Sequence, residues 1–184
     1  MSYLTDSQKK FSDLKFILDA ENKSQLTLKA NGGNSVLFVF SPEEENLYIS
    51  KALEIFKENA HFIYINKLVV NFIDTIGWDD FKNYYKDYSA TPYKLFKSDS
   101  SDTDLFDLII KEIEFAESEN KIPFIVRTGA LLGTGIENVN IMENKFVMQM
   151  KNPLVIFYPA KNENDNLLFL NFKLASKYRC VLLS

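Results

Sequence analysis

Cysteine, histidine and tryptophan are nearly absent. The 184-residue chain has one of each: Cys180, His61 and Trp78. A single cysteine excludes an internal disulfide, and together with a single histidine it cannot supply the nitrogen and sulfur ligands of an all-protein zinc site. Basic charge is also short, with 21 Lys and Arg against 25 Asp and Glu and a formal net charge of -4. Non-specific nucleic-acid binding needs many cations to displace counterions. A mildly acidic chain supplies no global drive for it, so direct nucleic-acid binding is not expected. No apolar run is long enough to span a bilayer, and the polar start MSYLTDSQKK lacks the apolar stretch of a secretory signal. The expected compartment is therefore the cytoplasm, without membrane contact. Glycine is scarce at six residues, which makes the cluster Gly129, Gly133 and Gly135 conspicuous.

What is present is apolar and aromatic. Hydrophobic residues make up 46% of the chain, including 16 Phe and 9 Tyr, a composition that rules out a disordered tail and can fill one core. The pattern predicts a single α/β domain over residues 1–184. A leading helix is expected at about 7–23, with Phe11, Leu14, Ile17 and Leu18 at helical spacing. Asn31–Asn34 (NGGN) reads as a turn. Four apolar runs read as buried strands: Val36–Phe40, Phe62–Ile65, Ile122–Val126 and Pro153–Tyr158. Further strands are expected at Leu167–Leu170 and Tyr178–Leu183. Between them lie helical patterns after Ser41, at Leu68–Ile76, Trp78–Tyr88, Asp104–Glu119 and Glu137 to about Met150. Strands alternating with helices imply a three-layer sandwich with a largely parallel sheet, of P-loop or Rossmann-like topology, with one or two antiparallel strands added at an edge near the C-terminus.

A phosphate loop normally follows the first strand of such a fold, where helix N-terminal N–H groups face an anion. Here that position reads SPEEE. Ser41 suits an N-cap, Pro42 the first helical position and Glu44 the capping-box acid. Three glutamates favour the helix and repel a polyphosphate, Pro42 offers no N–H, and the chain has no Gly-Lys-Ser/Thr triplet. The glycine loop after the third strand, FIVRTGALLGTGIENVN, is the remaining candidate. It has neither the G-x-G-x-x-G spacing nor a lysine. Its one cation, Arg127, stands at the carboxyl end of a strand, where open α/β sheets place ligands. Two readings stay open. The glycines can simply let a strand turn into a helix, with Arg127 pairing a carboxylate of its own chain or of a partner. Alternatively, Arg127, Gly129, Gly133, Gly135, Asn138 and Tyr158 mark an interaction or ligand face.

Catalytic constellations are not evident. His61 stands at the entry end of a strand, without an elbow motif, and reads as structural. The carboxylates between Asp99 and Asp107 read as a solvated helix start. Asp99, Asp102 and Asp104 lack the glycine and terminal glutamate of an EF-hand loop. Trp78, Phe81, Tyr84, Tyr85 and Tyr88 could stack bases, but Asp79, Asp80 and Asp87 among them favour a core or partner-docking face. Cys180 reads as a small buried hydrophobe. No catalytic residue, cofactor or metal is therefore expected.

The landmarks VLFVFSPEEE, IPFIVRTGALL, IMENKFVMQMKNPLVIFYPA and YRCVLLS, in this order, resemble the BREX component B family of the bacterial phage-exclusion system. The matching positions are Pro42 and Glu43–Glu45, then Arg127 and Gly129, then Pro153, Phe157, Tyr158 and Pro159, from about Val36 to the C-terminus. The sequence departs from the family pattern at Val126, Thr128, Ala160 and the loop Gly133–Asn138. The resemblance implies a phage-defence component acting with partner proteins: an ATPase, a methyltransferase and an alkaline-phosphatase-like protein. It carries no catalytic residues over. The expected function is a non-catalytic adaptor, docking through exposed aromatics and the strand-end face around Arg127 and Tyr158. The alternative is an anion or nucleotide sensor using Arg127 and the glycine loop.

Overall fold

Strands with apolar residues at every position must be covered on both faces, and the fold meets this demand with helices on either side of one sheet. The computed structural model describes residues 5–98 and 103–184. The chain begins with α1 (Asp6–Leu18), a single-turn link, and α2 (Lys23–Lys29). The expected leading helix therefore stops at Leu18: Asp19 adopts an extended conformation, and the helical stretch that follows is a separate element. Strand β1 (Ser35–Phe40) follows, then α3 (Glu45–Phe56) and β2 (Ala60–Tyr64). Four helices come next: α4 (Ile65–Ile76), α5 (Trp78–Asp87), the short α6 (Tyr93–Phe96) and α7 (Leu105–Ser118). Then come β3 (Ile122–Val126), α8 (Asn138–Met142), α9 (Lys145–Gln149), β4 (Leu154–Glu163), β5 (Asn166–Phe169), β6 (Lys173–Ala175) and β7 (Val181–Leu183).

The strand order is β2-β3-β4-β1-β7, and every neighbouring pair in this row is parallel. The antiparallel additions are β5 and β6, which fold back on the long end of β4. The last strand itself lies parallel to β1. Period-2 alternation sorts the side chains of the sheet between two apolar layers. Val36, Phe38, Phe40, Phe124, Val126, Val155 and Phe157 meet α1, α2 and α3. Leu37, Val39, Ile63, Ile125, Ile156 and Tyr158 meet α4 to α9. In the first layer the parallel register sets Phe38 opposite Phe157. Their rings stack at 4.8 Å, and Phe11 and Tyr48 close over Phe38 at 5.1 and 5.6 Å.

Local chemistry explains most element boundaries. Asp104 caps α7 by accepting from Asp107 N at 2.8 Å, while the Asp107 carboxylate accepts from Asp104 N. Asp104 also takes Ser98 N at 2.6 Å, so this carboxylate organises a helix start rather than a metal site. Asp99 and Asp102 lie outside the described residues. The helix expected over Glu137–Met150 is two helices, because Asn144 stops the first and caps the second by accepting from Phe146 N at 2.9 Å. The end of α9 is tied to the NGGN turn: the buried Asn34 amide donates to the carbonyls of Val147, Met150 and Asn152 at 2.9–3.2 Å. No helix among the described residues is long and apolar enough to cross a membrane.

Candidate functional site

The carboxyl ends of β1, β3 and β4 form the face where a ligand or partner is expected. After β1 the chain does not enter an α-helix at Pro42. It makes a single 3-10 turn, Pro42–Glu44, and α3 begins at Glu45. The Ser41 side chain makes no capping hydrogen bond there: the intervening turn separates it from the helix it was expected to cap. Glu43 and Glu44 are exposed on that turn.

Arg127 leaves β3 in the left-handed backbone region, at φ 60. This conformation costs a residue with a Cβ about 1–2 kcal/mol. Its guanidinium reaches across to the start of α3, pairing with Glu45 Oε2 at 2.8 Å and donating to the side-chain oxygen of Asn46. Of the two open readings, the chain uses its own carboxylate. The pair is a clamp between β3 and α3, and it matters because Glu45 Oε1 is buried with no hydrogen-bond partner. Removing the guanidinium should leave that carboxylate half-buried and uncompensated, at a cost of about 1–3 kcal/mol. Urea unfolding of Arg127→Ala and Arg127→Gly separates the two terms. Both variants lose the clamp, but Gly should be the more stable by about 1 kcal/mol because it removes the left-handed strain. Equal stabilities would show that the backbone at Arg127 is not strained.

The glycine loop packs against its own chain. Thr128, buried, donates its hydroxyl to Phe157 O at 2.8 Å. Thr134, also buried, bonds Leu131 O at 2.8 Å and accepts from Ile136 N at 3.1 Å. Gly135 has φ +74, and a Cβ there would lie 2.1 Å from Tyr93 Cβ. Gly133 has φ +85 with open space around it, whereas Gly129 has neither a positive φ nor a close neighbour. Asn138 is buried at the start of α8 and donates to Ser176 O at 2.7 Å. Tyr158 is only 4% exposed, so it is no docking residue. Its ring stacks on Phe169 at 4.7 Å, and burial pushes its hydroxyl pKa up.

These six positions do not converge. Asn138 and Tyr158 line a cavity of about 20 Å³ together with Leu131 and Ile136. That is room for about one water molecule, far below the volume of a nucleotide site. Arg127 turns away from it, toward α3. The other chemistry-bearing side chains are also engaged. His61 Nε2 sits 3.0 Å from Glu112 and its ring is edge-on to Phe115, a structural setting. Cys180 is buried beside β7, with its thiol pushed up to about 11 by desolvation, so it is protonated and unreactive near neutral pH. Among the described residues no group of three His, Cys, Asp or Glu could hold a metal ion.

One charged residue at the strand ends escaped the sequence reading. Lys10 projects from α1 to the end of β1 and donates to Val39 O at 3.1 Å. Nothing in its local sequence distinguishes it from the other surface lysines of α1. Only the packing of α1 beside β1 brings it there. No family model, no curated protein and no solved structure matches the chain.

Proposed function

We propose that the chain is a non-catalytic adaptor that docks a partner protein through the exposed aromatic side chains of α5, within a bacterial phage-defence assembly of the BREX kind. The observation that supports this reading is the aromatic surface of α5. Phe81 is buried and anchors the helix, while Trp78 is 64% exposed and Tyr84, Tyr85 and Tyr88 are 42–50% exposed. Trp78 and Tyr85 stack on either side of Phe81, at 6.2 and 6.0 Å. Aromatic side chains left open in this density bury large areas at low entropic cost when a partner covers them, and they dominate the energetics of many interfaces. Asp79, Asp80, Lys82, Lys86 and Asp87 supply a charged rim. The phage-exclusion context rests on the resemblance of the strand and loop motifs. The partners it implies are the phosphatase-like protein, the ATPase and the methyltransferase.

The test is affinity capture at near-native expression from cells carrying those three proteins. The wild-type chain should recover at least one of them, and Trp78→Glu/Tyr84→Glu should lose it while remaining folded. Recovery of none of the three would overturn the proposal. Arg127→Glu is unsuitable as a probe, because it breaks the clamp to Glu45.

A further inference from the structure

The carboxyl ends of β1 and β4 lie side by side, yet the chain leaves them in opposite directions. From β1 it runs through α3 to the far edge strand β2, and from β4 it runs through the antiparallel ribbon to β7 on the other edge. Because α3 packs on one face of the sheet and β5 on the other, the two connections part to opposite faces and leave a crevice where open α/β sheets bind ligands. Here the crevice measures about 550 Å³, within the range of small-molecule sites. Its lining includes the polar residues Lys10, Ser41, Glu43, Lys161, Asn162, Asn171 and Ser184.

Its charges select the ligand. The half-buried Lys10 ammonium donates to Val39 O and lies 5.8 Å from the Tyr48 ring centre. Among the described residues it makes no ion pair. Burial lowers its pKa, and the more distant Glu44 and Asp6 only oppose that effect. A desolvated cation without a contacting carboxylate is stabilised by an incoming anionic group. Lys161 is already paired with Glu163 at 3.0 Å. Glu43 is exposed and makes no ion pair among the described residues. The Ser41 hydroxyl beside it holds its carboxyl below the usual range, so it stays ionised. Among the side chains that line the crevice, Lys10 is thus the cation and Glu43 the anion without an ion pair. The carboxylates of Glu43 and Glu44 disfavour polyphosphates there.

We propose that this crevice binds a small zwitterion of the amino-acid class. Its carboxylate meets Lys10, its ammonium meets Glu43, and the amides of Asn162 and Asn171 reach its remaining polar groups. The site is independent of the α5 docking surface.

Amide NMR of the full ¹⁵N-labelled chain tests this, with each standard amino acid and the dipeptide Gly-Gly as probes and acetate, inorganic phosphate and ATP as comparisons. At least one amino acid or the dipeptide should shift Phe40, Ser41, Lys161 and Asn162 saturably. Lys10→Met and Glu43→Gln should each weaken that binding by about tenfold or more, with the rest of the spectrum unchanged. Glu43 is exposed, so its variant reports on binding even if Lys10→Met perturbs α1. Absence of saturable shifts with every zwitterion at millimolar concentration overturns the proposal. So does tighter binding of phosphate or ATP at the same amides, or undiminished affinity in Glu43→Gln.

Discussion

Phe38→Ala should destabilise the protein by about 3–5 kcal/mol, the range of large-to-small aromatic truncations in packed cores. Phe38 is fully buried at the centre of the layer between the sheet and α1–α3. Its ring touches four others: Phe157 at 4.8 Å, Phe11 at 5.1 Å, Tyr48 at 5.6 Å and Phe40 at 6.4 Å. These neighbours come from α1, α3, β4 and β1, so a cavity here cannot close by moving one element. The variant loses the transfer energy of the ring, the edge and stacking contacts, and the packing that seats α1. Urea unfolding measures the loss. A cost below about 1 kcal/mol would mean that the layer collapses freely around the gap, contrary to a core built on this aromatic ladder.

Gly135→Ala should also be strongly destabilising, by about 2–5 kcal/mol. A methyl group at this position meets Tyr93 Cβ at 2.1 Å and Tyr93 Cα at 3.0 Å. Overpacking of that kind costs about 1–3 kcal/mol, and the positive φ adds about 1–2 kcal/mol. Since the obstruction begins at the Tyr93 Cβ, Tyr93→Ala should not relieve it, whereas Tyr93→Gly should recover part of the loss. The companion variants are graded. Gly133→Ala should cost only the backbone term, about 1 kcal/mol. Gly129→Ala should fall within about 0.5 kcal/mol of wild type, because its nearest neighbour would be Leu170 Cδ2 at 3.7 Å. A uniform effect across the three would contradict the distinct roles the fold gives them.

The layers of this fold were legible because its strands are apolar throughout and its helices carry clear stripes. The buried runs of β1, β3 and β4, the capped start of α7 and the separation of α5 from α4 at Gly77 all follow from local pattern. Elements set by distant partners were not legible. The division between α8 and α9 depends on Asn144, and the end of α9 is fixed by Asn34, more than a hundred positions earlier. The last strand joins β1 in parallel, which no local pattern specifies, and the 3-10 turn at Pro42 displaced the expected cap at Ser41. At the candidate site, the sequence raised the own-chain pairing of Arg127 as one of two readings but could not name Glu45. It grouped Tyr158 with the exposed face, although stacking on Phe169 and the folded-back β5 bury it. Lys10 was invisible, since its significance lies in where α1 packs.

The central claim is that the glycine loop and Arg127 serve the fold while the aromatic face of α5 serves binding. Dissociation constants for the partner captured from the phosphatase-like protein, the ATPase and the methyltransferase test it most directly. They should be measured with wild type, Trp78→Ala/Tyr84→Ala, Gly129→Ala and Arg127→Lys. The α5 variant should bind about 30-fold more weakly or worse, the scale of a lost interface hot spot, while Gly129→Ala and Arg127→Lys should bind like wild type. Unchanged binding by the α5 variant, together with loss on altering Gly129 or Arg127 in a stably folded chain, would contradict it.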